Sequence, residues 1–148
     1  MGKIEAINIT NISEENTFYV NQAILERGKG IVNDRYHGNF KEKKEQVTLI
    51  NLEEINDFNN QIKHNIDAKD FRRNIIISGI NLSELVNKKI KINEVTLKIH
   101  EICQPCRYLQ SRLKIPNLVK RLLNKSGVRA EILSSGILSV GDLIKILK

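Results

Sequence analysis

Apolar and polar positions alternate along most of this chain with the period of two that marks strands. Ile4–Ile9 alternates in part, and Gln46–Ile50 is a second β-rich run. Asn74–Ser78 holds three consecutive isoleucines, which predicts a strand buried on both faces. From Ile90 to His100 the apolar positions Ile90, Ile92, Val95, Leu97 and Ile99 change phase at Asn93-Glu94, which predicts a hairpin. Arg129–Leu133 and Asp142–Leu147 complete the strands, with turns at Gly136 and Gly141 between them.

Two stretches switch to a helical period. Asn51, with Glu54 three residues on, predicts a capping box ahead of a stripe of Leu52, Ile55, Phe58 and Ile62. Pro116 is placed to open a second helix, where its missing N–H does no harm. That helix would bury Leu118, Val119, Leu122 and Leu123, expose Lys120, Arg121 and Lys125, and stop at Gly127. Short strands with two or three helices and no regular strand–helix–strand rhythm predict a mainly β chain with a few helices. The expected form is a barrel or strongly bent sheet with peripheral helices.

Length and composition narrow this only a little. The 148 residues suit one domain, 1–148, with room for a real core. Trp is absent and aromatics make up 5%, so the core must be built from Ile, Leu and Val. No run is long enough to span a bilayer, and Met1–Glu5 lacks the apolar stretch of a signal peptide; the expectation is a cytoplasmic protein without a membrane.

Charge changes the picture more. The first 74 residues carry 11 basic and 12 acidic side chains, the remaining 74 carry 13 and 5, so the net charge of +7 sits in the second half. Such asymmetry favours an anionic partner: nucleic acid, a phosphorylated cofactor, an oxyanion or an acidic protein. A solvated basic face explains it equally well. Aromatic residues for stacking bases are scarce, which speaks against nucleic acid.

Three segments could carry chemistry. In His100-Glu101-Ile102-Cys103-Gln104-Pro105-Cys106-Arg107 two thiols lie three apart beside a permanent cation. A nearby cation lowers a thiol pKa from about 8.5 and favours the reactive thiolate. Cys106, between the stiff Pro105 and Arg107, is the better candidate for a presented thiol, with His100 as a further helper; Cys103 could act as a resolving partner or second ligand. Structural zinc would need a second ligand pair, and thioredoxin-like exchange would place the pair early, at the start of a helix. Two half-buried cysteines of no function remain an open reading.

The second segment is Gly28-Lys29-Gly30-Ile31-Val32-Asn33-Asp34-Arg35-Tyr36-His37-Gly38. Its glycines let backbone amides approach an anion, and Arg35 could clamp one, with Asp34 and His37 alongside. It is neither a P-loop nor a dinucleotide fingerprint. It could equally be a polar turn closed by an Asp34–Arg35 or Asp34–His37 contact. The third is Phe71-Arg72-Arg73-Asn74, ahead of the triple-isoleucine strand. Two arginines at a strand mouth suit phosphate, or they pair with Asp67 and Asp70 at the surface.

Taken in order, these segments resemble the MOSC domain, the family named for the C-terminal domain of molybdenum-cofactor sulfurases. The resemblance runs through Asn33-Asp34-Arg35-Tyr36-His37-Gly38, Gln46–Ile50, Arg72-Arg73-Asn74-Ile75 with Gly79-Ile80-Asn81-Leu82, Pro105-Cys106, and Gly136-Ile137-Leu138 with Gly141-Asp142. It covers about residues 3–147. It implies a MOSC-type β-barrel, similar to that of pyruvate kinase, and a single working cysteine, which falls on Cys106. It implies a role near the molybdenum cofactor (molybdopterin). Cys106 would accept sulfane sulfur from a pyridoxal-phosphate-dependent cysteine desulfurase, or would ligate molybdenum. Arg35, Arg72, Arg73 and Asn74, with Asp34, His37 and Arg107, would face an anionic pterin or oxomolybdenum group. The partner would be that desulfurase, a molybdoenzyme or another cofactor-biosynthesis protein. Asn33 stands where the family has Gly, and the separate N-terminal barrel domain of larger members has no counterpart. A non-catalytic binding module for an anionic pterin or a partner protein is the alternative.

Overall fold

The structure is a computed structural model that describes residues 2–10, 17–105, 110–111, 113–115 and 117–147. Eleven strands are described: β1 (Gly2–Ile9), β2 (Phe18–Val20), β3 (Gln22–Glu26), β4 (Gly30–Ile31), β5 (Val47–Asn51), β6 (Ile75–Ser78), β7 (Lys89–Ile92), β8 (Val95–Ile102), β9 (Val128–Ser134), β10 (Gly136–Ser139) and β11 (Leu143–Leu147). Two α-helices are described, α1 (Leu52–Ile62) and α2 (Leu118–Arg121).

Seven strands close into a barrel in the order β11-β7-β8-β9-β5-β6-β1, and β1 pairs back onto β11 through Gly2↔Ile144 and Lys3↔Leu143. Closure leaves these seven without free edges. β2 hangs on the outer flank of β1, and β10, β3 and β4 form a small separate sheet. Within the barrel only β5 and β6 run parallel, and α1 provides the crossover they need. The mainly β architecture with peripheral helices is as expected.

Alternation does the sorting. In β7 Ile90 and Ile92 are buried while Lys89 and Lys91 are exposed. The interior is aliphatic, filled by residues such as Ile4, Ile7, Leu25, Leu49, Ile75, Ile77 and Leu97. A second cluster lies outside the barrel wall, where α1 and α2 cover Ile50 and Ile76. There Phe58 and Phe71 meet edge to face at 5.8 Å. Ile75, Ile76 and Ile77 are thus buried on both faces, as the triple isoleucine predicts. The hairpin between β7 and β8 turns on Asn93-Glu94, with Asn93 at φ 54°.

Three local expectations are corrected. Asn51 precedes α1 but its side chain makes no cap. Its amide donates to the Ile80 carbonyl at 2.5 Å and accepts from the Leu82 N–H at 3.1 Å, tying down the loop after β6. Buried backbone groups of that loop outcompete the helix end for the same amide. Glu53, not Glu54, takes up an orphan donor, the Gly79 N–H at 2.8 Å. The described part of the second helix is a single turn, so its apolar period does not run on: Leu118 and Leu122 are buried, Val119 is half-buried, and Leu123 is 53% exposed. Pro116 lies outside the described residues. Gly136 opens β10 rather than marking a turn.

Candidate functional site

The end of β8 is clamped from one side. The Cys103 N–H donates to the Gly127 carbonyl at 2.8 Å, and the Ser126 hydroxyl donates to the Cys103 carbonyl at 2.8 Å. Gln104 and Asn124 bond reciprocally: the Asn124 N–H donates to Gln104 Oε1 at 2.8 Å, and Gln104 Nε2 donates to Asn124 Oδ1 at 2.5 Å. Cys103 is 1% exposed and Pro105 is buried. Cys106 and Arg107 follow directly and lie outside the described residues.

The buried thiol has cationic company. Arg129, on β9 opposite Glu101, is the cation that interacts with Cys103. Burial works against the Arg129 charge, but Cys103 and then Glu101 and Glu45 outweigh it and hold the guanidinium above its ordinary value. Glu101 also pairs with Lys44 at 3.2 Å. His100 is committed elsewhere, to Glu131 across the β8–β9 pair at 2.9 Å.

The Arg72–Asn74 segment joins this strand end to the rest of the barrel. Arg73 donates from Nε to the Ser126 carbonyl at 2.7 Å and from a terminal nitrogen to the Ser126 hydroxyl at 3.3 Å. Ser126 therefore links Arg73 and Cys103 directly. Asn74 is a three-strand tie: Oδ1 accepts from the Thr48 N–H and hydroxyl at 3.1 Å, and Nδ2 donates to the Asn8 carbonyl at 3.2 Å. Arg72 is 8% exposed and holds a left-handed φ of 61°. Asp67 is occupied by the Tyr19 hydroxyl and the Lys69 N–H instead of by either arginine. The Tyr19 hydroxyl is pushed up to about 12, by burial first and by Asp67 second.

The loop after β4 meets the same region through the end of β1. Asp34 is 6% exposed and accepts from the Thr10 N–H at 3.1 Å and the Tyr36 N–H at 3.3 Å. The Arg35 N–H donates to the Thr10 carbonyl at 2.5 Å. Asn8, two residues before Thr10, donates to the Arg73 carbonyl at 3.0 Å. Burial raises the Asp34 carboxyl above the usual range, against the pull of the Thr10 and Tyr36 amides and of Arg35. The Arg35 guanidinium lies 4.6 Å over the Tyr36 ring, and His37 turns away to Glu26 at 3.0 Å.

A continuous chain of contacts thus runs from Asp34–Arg35 through Thr10 and Asn8 to Arg73–Asn74, and on through Ser126 to Cys103. His37 stands at its margin. Ser126, Arg129, Thr48 and Asn8 hold the chain together and were not singled out from the sequence. They act across strand pairs far apart along the chain, and no local motif marks them.

The donor set can be tested against the cofactor that the resemblance implies. Among the described residues no group of three or more His, Cys, Asp or Glu side chains gathers to hold a metal ion. Arg35, Arg72 and Arg73 lie on segments that the Thr10, Asn8 and Arg73 contacts tie to one another, and guanidinium is the group that suits a phosphate. The set fits a phosphorylated pterin better than a bare ion. No helix among the described residues is long and apolar enough to cross a membrane.

Comparison with known proteins completes the picture. The family model of the MOSC domain matches residues 33–145. No curated protein matches the chain. Among solved structures, the YuaD protein from Bacillus subtilis superposes with a TM-score of 0.85 at 20% identity, covering 99% of this chain and 96% of that one. YiiM from Geobacillus stearothermophilus gives 0.80 at 15% identity, covering 100% and 76%. YiiM from Escherichia coli gives 0.75 at 12% identity, covering 99% and 70%. At these identities the likeness is one of fold.

Proposed function

The chain belongs to the MOSC domain family, a molybdenum-cofactor-related family, and on that premise we propose that it is a sulfur carrier whose working group is the Cys106 thiolate. The observation that carries this reading is the clamped strand end. Cys103 and Gln104 are fixed by four hydrogen bonds, and Arg73 and Arg129 stand beside them, immediately ahead of Pro105-Cys106. A rigid, cation-lined support is what a thiol needs to be presented as a thiolate.

In the transfer, the Cys106 thiolate attacks the outer sulfur of a persulfide on a cysteine desulfurase. The new S–S bond forms on Cys106, the donor's S–S bond breaks, and its electron pair stays on the donor as a thiolate. Cys103, closed off from solvent, takes the part of the second thiol, a resolving group or second ligand for what Cys106 already carries. Arg35 and Arg72 would hold the phosphate of molybdopterin, with Arg107 beside the thiol. Arg73, Asn74 and Asp34 position them, and His37 lies at the rim. When bound, the cofactor supplies a molybdenum centre for which thiolate is a suitable soft ligand, and Cys106 is the residue that would ligate it. The protein is read as cytoplasmic.

Intact-mass spectrometry tests the reading. After incubation with a cysteine desulfurase and cysteine, the chain should gain one sulfur atom. Dithiothreitol should remove it, and Cys106→Ser should never acquire it. A parent chain that takes up no sulfur while still binding molybdopterin would overturn the carrier in favour of a non-catalytic binding module.

A further inference from the structure

The outer face of the barrel at β7, β8 and β11 concentrates lysine in a way the register makes explicit. Lys145 lies directly opposite Lys91, and Lys89 lies directly opposite Lys98. Lys89 and Lys91 are neighbours on the same face of β7. Directly opposed residues in an antiparallel pair are about 5 Å apart at Cα, and like charges there destabilise the sheet. Among the described residues none of the four forms an ion pair.

Two carboxylates beside this face are otherwise engaged. Glu131 lies opposite Lys98 but bonds His100 at 2.9 Å. Asp142, just before β11, accepts from Asn93 and from the Ser139 N–H. Glu94 sits in the β7–β8 turn.

We propose that this lysine face is a docking surface for an acidic segment of a partner protein. Four features favour that occupant. The four opposed lysines call for carboxylates in a matching array. Leu143, two residues before Lys145 on the same side of β11, is 59% exposed, and an apolar partner side chain would cover it where a phosphate backbone would not. None of the face's positions is aromatic, so it offers no platform for stacking bases. The strands belong to a closed barrel, so the partner is met through side chains rather than by adding a strand. Lys98 is five residues before Cys103 on β8, about 17 Å along the strand. A protein docked here reaches the strand end that leads to Cys106, so on the sulfur-carrier reading the occupant is the sulfur donor or acceptor.

The test uses the full chain and a labelled synthetic peptide of alternating glutamate and leucine. Binding should weaken steeply with salt and fall at least tenfold in Lys89→Glu/Lys91→Glu. The charge-matched Lys41→Glu/Lys120→Glu should bind within about twofold of the parent. Thermal stability of Lys89→Glu/Lys91→Glu should hold or rise, because each new carboxylate faces a lysine. Equal losses in both variants would reduce the effect to net charge and overturn the proposal. Tighter binding of phosphatidylserine vesicles or duplex DNA at the same ionic strength would also overturn it. Loading of Cys106 from glutathione persulfide is read in the same proteins. Its failure in the parent would sink the carrier reading and leave the lysine face standing.

Discussion

At Arg73, Asn74 and Gly127 the polar groups are spent on neighbouring segments of the barrel, whereas in the loop 28–38 Asp34 is anchored and Lys29, Asn33 and Tyr36 stand at the surface. Asn74 alone joins Thr48 and Asn8, and Arg73 joins Ser126, which joins Cys103. In the loop, Arg35 rests on Tyr36 and His37 on Glu26, both contacts near solvent. Each segment carries arginine and polar residues in sequence, yet one is a structural seam and the other a rim. The difference teaches that substitutions in the seam should unfold, and substitutions in the rim should disable. A substitution that crosses those roles would break the comparison.

The largest effect belongs to Gly127. It holds φ at +97°, and a Cβ there would press into the Leu49 carbonyl oxygen. Gly127→Ala combines left-handed strain with a backbone collision and should cost about 4 kcal/mol in urea denaturation. By contrast Gly38, at φ +67° with open space around its Cβ position, should tolerate alanine at about 1 kcal/mol. If the two cost the same, the seam is no tighter than the rim.

Asn74→Ala comes next, at about 3 kcal/mol, because it leaves the Thr48 N–H and the Asn8 carbonyl buried without their partner. Chemical denaturation of the variant measures it. A loss under about 1 kcal/mol would show that water or a neighbour replaces the amide, and the three-strand tie would lose its claim.

How much of this was legible beforehand follows from the range of each interaction. Alternation at Ile90 and Ile92 and the triple isoleucine at 75–77 announced strands and their buried faces, because period and burial are local signals. The polar clusters at 34–37 and 71–74 were visible as candidates. What they do was not, since Asn74 bonds partners 26 and 66 residues away and Arg73 one 53 away. Asn51 shows the same limit: a good cap by its neighbours in sequence, it is claimed by Ile80 and Leu82 across the fold. Strands β2, β3 and β10 are short and partly exposed, and β4 is only two residues long, too little pattern to be read.

Asp34 sharpens the comparison, as the buried carboxylate of the rim. Asp34→Ala strands the Thr10 and Tyr36 amides and should cost about 2 kcal/mol at acid pH. The folded carboxyl titrates above its unfolded value, so folding favours the protonated form. Its contribution is complete below the unfolded value, about 3.9, and is lost as pH rises through the folded one. The cost of Asp34→Ala should therefore shrink from acid to neutral pH. Carboxyl-detected NMR checks the premise: a midpoint at or below the ordinary aspartate value would remove it.

The smallest stability effect separates seam from rim most cleanly. Arg35→Ala removes a half-exposed cation stacked on Tyr36 and should cost no more than about 0.5–1 kcal/mol. Arg73→Ala breaks two hydrogen bonds to Ser126 and should cost about 2 kcal/mol. Binding should rank differently from stability. If the proposed cofactor site holds, loss of the rim arginine should lower affinity for molybdopterin at nearly unchanged stability. Titrating molybdopterin into both folded variants, beside their unfolding curves, reads the two quantities separately. If Arg35→Ala lowers stability as much as Arg73→Ala and leaves affinity untouched, the loop is structural like the seam, and the anion must be held by Arg72 and the strand end alone.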